Sequence, residues 1–396
     1  MPDRPQTVLL TGGRAAATLE LARMLHRAGV RVLMAEHIGW HLSRFSRAIA
    51  RHYVVPWPTR DRPAFIAALA RIIEREQVDL LIPTCEEVFH VAWGRDRLRC
   101  AVYCDGLEAL GRLHHKGQFI AAARQHGLAV PETVVCTDRA ALSAALAQLG
   151  GGVVLKPAWS RFAARTLVLP QGAGADTPLP TPSAQDPWLV QRYLPGRQLC
   201  TWGLCHAGRL VAYCAYETRF TLGLGASASF EMLDHPRLEA WMAALVAGEG
   251  FTGQLGLDCI ETPDGTVHGI EANPRITSGF HLFAHDPRVL DAYWSPGTER
   301  LKPVGGRPAM LGVSMLLARR RLRDPEAKRQ WKAVFRRSRE VVWSGWDPVP
   351  VLWRFVWLAG VVLRGRRVGR PPAEAIAIDM EWNGEPADAA VVEKPV

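Results

Sequence analysis

Gln254-Leu-Gly-Leu-Asp-Cys-Ile-Glu-Thr-Pro-Asp-Gly-Thr-Val-His-Gly-Ile-Glu-Ala-Asn-Pro-Arg275 reads as two strands joined by a tight turn. Asp264-Gly265 is a strong two-residue hairpin signal, because the left-handed backbone of such turns is open to Asp and Gly. With the turn there, Pro263 faces Thr266 and Asp258 faces Glu271. One face then carries Gly256, Asp258, Ile260, Gly269, Glu271 and Asn273. The other carries Leu255, Leu257, Cys259, Ile270 and Ala272, an apolar side. A four-residue loop keeps this pairing. A three-residue loop with a bulge shifts it by one residue, and in a strand of side-chain period two such a slip exchanges the faces.

Two directly opposed carboxylates destabilise a sheet unless something positive lies between them. Asn273 adds a neutral oxygen two residues beyond Glu271, on the same face. Oxygen-only donors of this kind suit Mg²⁺, which keeps waters and shares its remaining positions with phosphates, and Mn²⁺ is the alternative ion. The competing reading is the solvated polar side of an edge hairpin. Glycines that clear space around the carboxylates, and Arg275 just beyond them, favour the cation.

Outward from the hairpin, the first hundred residues alternate strands and helices. Val8–Thr11 enters a Gly12-Gly13 turn, a helical pattern runs through Leu19, Leu21 and Leu25, and Gly29 stops it. Strands follow at Val30–Ala35, Asp79–Pro83 and Arg99–Cys104, with a helix at Ala64–Arg75. This order predicts a doubly wound parallel sheet. GxGxxG is absent, so the glycines alone are no dinucleotide fingerprint. Beyond Asp105 come a helix at Lys116–Gln125 and an Asp138-capped helix to Leu149. The chain then turns strand-rich: Val153–Lys156, Thr166–Leu169, Trp188–Leu194, Leu199–Cys205, Leu210–Thr218 and the two arms of the hairpin. A Pro-, Gly- and Ser-rich stretch at 170–187 reads as a surface loop.

The 396 residues allow two or three domains, and an apolar fraction of 48% with 22% charged residues excludes a disordered chain or a fibre. No basic-then-apolar leader opens the sequence, and no uninterrupted 18-residue apolar run exists. Eight scattered cysteines without a CxxC pair predict reduced thiols in a cytoplasmic protein, not a disulfide frame or a zinc site. The net charge of +10 is local: residues 301–370 hold 17 Lys or Arg against 4 Asp or Glu. Only six residues are lysine, and the first 301 residues contain two, Lys116 and Lys156. In a chain this biased to arginine, a lysine persists by chance or where a compact, rotatable ammonium does what a planar guanidinium does not.

Several segments recur together in one order. Glu271-Ala-Asn-Pro-Arg275 follows Asp258 by thirteen residues; Val154-Leu-Lys156-Pro157 is a strand with a lysine; His115-Lys116 opens a helix before Gly127-Leu-Ala-Val-Pro131; and Val190-Gln-Arg-Tyr-Leu-Pro-Gly196 is a strand running into a turn. With the Thr11-Gly12-Gly13 domain ahead of them, they resemble the ATP-grasp superfamily over roughly residues 5–295, nearest the branch of carbamoyl-phosphate synthetases, biotin carboxylase and D-alanine–D-alanine ligase. The resemblance implies a small doubly wound α/β domain over 1–105 and an ATP-grasp domain over 106–300, in subdomains 106–190 and 191–300. A basic, Trp-rich extension covers 301–396. It implies that Lys116 and Lys156 bind the nucleotide phosphates, that Asp258, Glu271 and Asn273 hold Mg²⁺, and that Arg275 steadies the reacting phosphate. Gln191 and Tyr193 would line the adenine pocket, chiefly through backbone groups, and Gln198 stands near the usual acidic ribose contact. The family's lid over the triphosphate is glycine-rich, whereas this chain has Ala158-Trp-Ser-Arg-Phe-Ala-Ala-Arg165. Ser160, Arg161 or Arg165 would supply contacts there, and a stiffer lid or a dead site are the two consequences.

The implied activity is ATP-dependent joining of a small-molecule carboxylate to an amine or thiol through an acyl phosphate. The alternative is a weak or inactive protein that binds a membrane surface or nucleic acid through its basic segment. Arg219 and the loop Gly223–Ser227 stand on the acceptor side, with a plain turn as the competing reading. Glu86 and Glu87 read either as a ligand loop or as the acidic first turn of a helix. In 301–370, five of the fourteen tryptophans accompany an apolar run, Val349–Leu363, followed by Arg364, Arg366, Arg367 and Arg370. That run suits peripheral contact with the anionic inner membrane surface, a helix packed on the body or, third, nucleic acid, which is the least favoured partner. The oligomeric state is left open.

Overall fold

A computed structural model describes residues 4–161, 163, 165–174, 177–221, 223 and 227–385. The amino-terminal sheet holds β1 (Thr7–Thr11), β2 (Arg31–Glu36), β3 (Arg51–Val54), β4 (Leu80–Ile82) and β5 (Ala101–Val102), all parallel in the order β3-β2-β1-β4-β5. Period-two alternation covers both faces. Leu9, Leu33 and Leu81 pack with Phe65, Leu69 and Ile73 of α2 (Arg62–Glu76), while Val8, Leu10 and Val32 join Leu21, Met24 and Leu25 of α1 (Ala16–Arg27). The strand order reverses between β1 and β4, so a crevice opens at their carboxyl ends. Gly12 stands there at φ +74°, with Thr84 Oγ1 2.5 Å from where a Cβ would lie. Both its backbone and its surroundings demand glycine.

Three helices, α3 (Glu87–Trp93), α4 (Leu107–His114) and α5 (Lys116–Gln125), lead into a second sheet. Its strands are β6 (Thr133–Cys136), β7 (Val153–Pro157), β8 (Leu167–Leu169) and β9 (Trp188–Arg192), antiparallel in the order β6-β9-β7-β8 and covered by α6 (Arg139–Leu149). A third antiparallel sheet runs β11-β10-β13-β14. It is built from β10 (Arg197–His206) and β11 (Arg209–Glu217), then, past β12 (Ser229–Phe230) and α7 (Pro236–Glu249), β13 (Gly253–Glu261) and β14 (Val267–Asn273). Helix α7 has Pro236 in its first turn and Gly250 as a left-handed stop, and it packs Leu238, Met242 and Leu245 into the core. Sequence reading assigned no helix to those residues.

The carboxy-terminal residues fold back over the rest. After the one-turn α8 (Arg288–Asp291), β15 (Ala309–Met310) and β16 (Arg339–Glu340) join β12 in a small sheet flanked by α9 (Gly312–Arg319) and α10 (Pro325–Arg337). Then come the 20-residue α11 (Val349–Val368) and the one-turn α12 (Pro372–Ala375). Two buried ion pairs tie this region to the first domain: Arg23 to Asp347 at 2.9 Å, and Arg14 to Asp379 at 2.7 Å. Trp382 lies in the main core, its ring stacked 4.9 Å from Phe89. What reads in sequence as a basic extension is therefore, through residue 385, part of the packed body. Among the described residues no helix is long and apolar enough to cross a membrane.

Candidate active site

The hairpin of β13 and β14 sets Asp258 directly opposite Glu271 and Gly256 opposite Asn273, the pairing read from sequence, although its turn is a different one. Thr262 and Thr266 close a three-residue loop, with Thr262 N donating to Thr266 O at 3.0 Å and Gly265 N to Thr262 O at 2.8 Å. Gly265 takes φ +81°. That loop shifts the register by one, so Cys259 faces Gly269 and Ile260 faces His268. An irregularity between Asp258 and Cys259 then restores the pairing of the carboxylates. As a consequence Val267 and Gly269 turn to the core instead of the polar face, and a Cβ on Gly269 would strike Trp241 at 2.5 Å. Ile270, expected on the apolar side, is the extra residue, and its carbonyl is freed for another partner.

That partner is Lys156. Its ammonium, on β7 of the neighbouring sheet, donates to Ile270 O at 2.9 Å, so the bulge of one sheet receives the lysine of another. Lys116 opens α5, where the His115 ring caps the helix by accepting from Gly117 N and Gln118 N, each at 3.1 Å. The Lys116 ammonium donates to Ser160 O at 2.8 Å and lies 3.5 Å from Glu271 Oε1. Both lysines are buried. Burial pulls the Lys156 pKa down to about 8, against the upward pull of Glu271. Burial and the negative charge of Glu271 push the Asp258 carboxyl up to about 6. Asn273 Nδ2 donates to Asp258 Oδ2 at 3.2 Å, and Arg275 donates to Asn273 Oδ1 at 3.2 Å. Thus Lys116, Lys156, Asp258, Glu271, Asn273 and Arg275, drawn from four elements and the turn after β14, form one cluster.

Among the described residues no three His, Cys, Asp or Glu side chains stand close enough to make a metal site alone. Two carboxylates and an amide oxygen are nevertheless a hard, oxygen-only set, and a carboxyl pushed upward by burial and by its neighbour's charge is what a divalent cation would relieve. The donor set fits Mg²⁺ shared with phosphate oxygens.

The remaining sequence candidates divide. Gln198 shares a face of β10 with Cys200, two residues on, and Cys200 stands opposite Asp258. Gln191 is buried within its sheet with Nε2 on Thr133 Oγ1 at 2.9 Å, and Tyr193 N donates to Gly152 O at 2.9 Å, so both groups are used inside the second sheet. Ser160 presents its carbonyl to Lys116, while its hydroxyl turns back to Pro157 O. Arg161 points away from the cluster, to Glu86, to Trp382 O at 2.6 Å and to Asn383 Oδ1 at 2.9 Å. Arg165 pairs with Asp186 at the surface, and Arg219 pairs with Glu217. Glu87 is structural: it accepts from Thr11 Oγ1 at 2.6 Å and from the amides of Thr84 and Cys85, clamping β1 to the start of α3. Phe162, Ala164, Leu224, Gly225 and Ala226, parts of the lid and of the loop 223–227, lie outside the described residues.

Sequence reading missed two neighbours of the cluster. Cys200 Sγ donates to Asp258 Oδ1 at 2.9 Å, a contact set by cross-strand pairing that no motif announces. Trp159 of the lid packs edge-on against His115 and against Trp382, with ring centroids 4.7 and 5.1 Å apart, so the carboxy-terminal strap holds the lid from outside. More than two hundred residues separate those partners in sequence, and nothing local signals the contact.

No family model matches the chain, and no curated protein sequence matches it. Solved structures do. The chain is similar to an L-amino acid ligase from Bacillus licheniformis over 74% of its own length and 75% of that chain, at a TM-score of 0.59 and 13% identity. It is similar to N5-carboxyaminoimidazole synthetase from Staphylococcus aureus complexed with ADP over 80% and 85%, at 0.60 and 12%. Biotin carboxylase from Campylobacter jejuni, in its β,γ-ATP complex, matches over 73% and 71%, at 0.57 and 13%. With a parallel α/β domain ahead of two antiparallel sheets that meet through Lys156, the chain has the ATP-grasp fold.

Proposed function

We propose that this protein is an ATP-dependent ligase that activates a small-molecule carboxylate as an acyl phosphate and passes the acyl group to an amine. The observation that carries the reading is the convergence of the two buried ammoniums on the Asp258–Glu271 pair, in a chain whose first 301 residues hold no other lysine. Similar structures bear the names of a ligase, a synthetase and a carboxylase, and two are nucleotide complexes. Lys116 and Lys156 would bind phosphate oxygens, and Arg275 would meet charge on the phosphoryl group being moved. Asp258, Glu271 and Asn273 would hold Mg²⁺, with Mn²⁺ as its substitute, and the ion supplies neutralisation of phosphate charge when bound. The turn past β9 would take the adenine edge, where Leu194 N is, among the described residues, the first amide not bonded within the sheet.

In the first step a carboxylate oxygen attacks the γ-phosphorus, the bridging bond breaks, and ADP leaves. In the second, the amine nitrogen attacks the acyl carbon, the C–O bond to phosphate breaks, and the amine gives up a proton. The acyl phosphate must be kept from water, and the segment around Trp159, packed edge-on against Trp382, would do so. A thiol in place of the amine would follow the same course. The intact cluster favours this reading over a purely binding protein. In an ADP-release assay with panels of carboxylates and amines, turnover should require both substrates and a divalent ion. Lys156→Ala should lower it by at least about 100-fold, the scale for losing a charge that meets the reacting phosphate. Undiminished turnover in a folded Lys156→Ala protein would defeat the assignment.

A further inference from the structure

Helix α11 carries an apolar stripe that none of the described residues covers. Leu352, Phe355, Val356 and Leu363 are between 52% and 70% exposed. At 100° per residue these positions fall within about one third of the helix circumference. The opposite side is used: Val361 and Gly365 are buried, and Trp353 Nε1 donates to His41 O at 3.0 Å. The stripe therefore belongs to a helix docked by one face and bare on the other. Followed towards the carboxyl end, it runs into Arg366 and Arg367, both exposed and, among the described residues, without an acidic partner. Beside it lies a groove of about 860 Å³ walled by Trp40, Trp57, Phe355 and Leu363, with Arg60 and Arg364 at its sides. Each of those two guanidiniums stacks on Trp57, at 4.2 and 4.7 Å.

We propose that this face docks on an anionic phospholipid surface, with α11 lying in the interface plane and the groove receiving an acyl chain. Charge selects the occupant. Arg60, Arg364 and Arg367 line the groove and no acidic residue does, with exposed Arg366 beside them, so a second copy of the same face would be repelled, whereas anionic headgroups would be drawn to it. Nucleic acid would answer the charge but not the aliphatic stripe or the apolar groove. Basic ends combined with a bare apolar face are what an interfacial helix uses. The inference stands apart from the ligase reading, since none of these residues belongs to the Lys156 cluster.

The test is co-sedimentation of the full-length protein with vesicles of phosphatidylcholine alone and of equimolar phosphatidylcholine and phosphatidylglycerol. Binding is expected to the second and to weaken as salt rises. Leu352→Gln with Phe355→Gln and Leu363→Gln should reduce it at least about tenfold. Arg366→Gln with Arg367→Gln should reduce it on the order of tenfold. All these positions are exposed, and an unchanged melting temperature verifies that both variants fold. Equal binding to neutral and anionic vesicles overturns the proposal, as does no binding at all. A dimer that the apolar variant dissociates would assign the face to a second copy, and binding of single-stranded DNA that survives that variant would assign it to nucleic acid; either result overturns the proposal.

Discussion

At residue 258 the protein holds a charge where a charge is costly. The Asp258 carboxyl is half-buried, faces Glu271 across the hairpin, and has its pKa pushed up to about 6, desolvation being the larger cause and Glu271 the next. Its hydrogen bonds from Cys200 and Asn273 reduce that cost without cancelling it. Asp258→Asn keeps the shape and removes the charge, while Glu271 stays to support the two ammoniums. In metal-free protein this variant should therefore be more stable than the parent by about 1 kcal/mol in urea titration, and it should lose ATP turnover. A less stable variant would mean that the hydrogen bonds at this carboxylate outweigh its charge. The pairing of the two carboxylates was legible in sequence, because strand alternation about a turn at 264–265 points to it. Cys200 was not, since its role depends on which strand lies beside β13.

At the scale of elements, the lid is where sequence and structure part most. By resemblance 158–165 stands where the family has a glycine-rich lid, and the structure shows the cost of lacking glycine: Ala163 and Arg165 adopt left-handed backbone at φ +52° and +61°, which side chains resist. The segment is held there by Trp159 against Trp382 and by Arg161 on Glu86, Trp382 O and Asn383. Rigidity that glycine would lose is thus imposed by a strap from the far end of the chain. Trp382→Ala empties a core position touching Phe89 and Gly111, and it should cost about 3 kcal/mol. Limited proteolysis should then find cleavage near residues 158–165 before the rest of the chain unfolds. If the lid stays as protected as in the parent while overall stability falls, the strap supports the core alone. Local elements such as four of the five parallel strands, α5 and α6 were legible because period and caps are local signals, whereas β3 was not read. The turn at 262–266 was not, since a three-residue loop plus a compensating bulge gives the same carboxylate pairing as a two-residue turn. The strap depends on contacts made across the whole chain.

For the whole molecule, one buried knot joins three regions that sequence reading kept apart. Glu20 on α1 accepts from His281 Nδ1 at 3.1 Å, in the turn that follows β14, and is paired at 2.8 Å with Arg339 on β16, which also donates to His281 O at 2.6 Å. Burial by itself would raise the Glu20 carboxyl, yet the His281 hydrogen bond and the Arg339 charge together bring it down to about 2 from 4.5. A carboxyl whose folded pKa lies below its unfolded value stabilises the fold above the unfolded pKa, and that contribution is lost as pH falls through the folded one. The window is therefore from about 4.5 down to about 2, and the full shift corresponds to about 3 kcal/mol. His281 adds in the same direction: burial lowers its pKa against the pull of Glu20, so protonation as pH drops below 6.5 favours the unfolded chain. Glu20→Gln removes the carboxylate and leaves the half-buried Arg339 beside a neutral amide. Urea titrations of parent and variant should differ most near neutrality, by about 3 kcal/mol, and converge as pH approaches 2. Curves that stay parallel down to that pH would place the cost of the substitution in packing. A variant that unfolds in one transition would mean the three regions remain coupled without this charge, whereas two transitions would identify Glu20 as the group that makes them a single cooperative body.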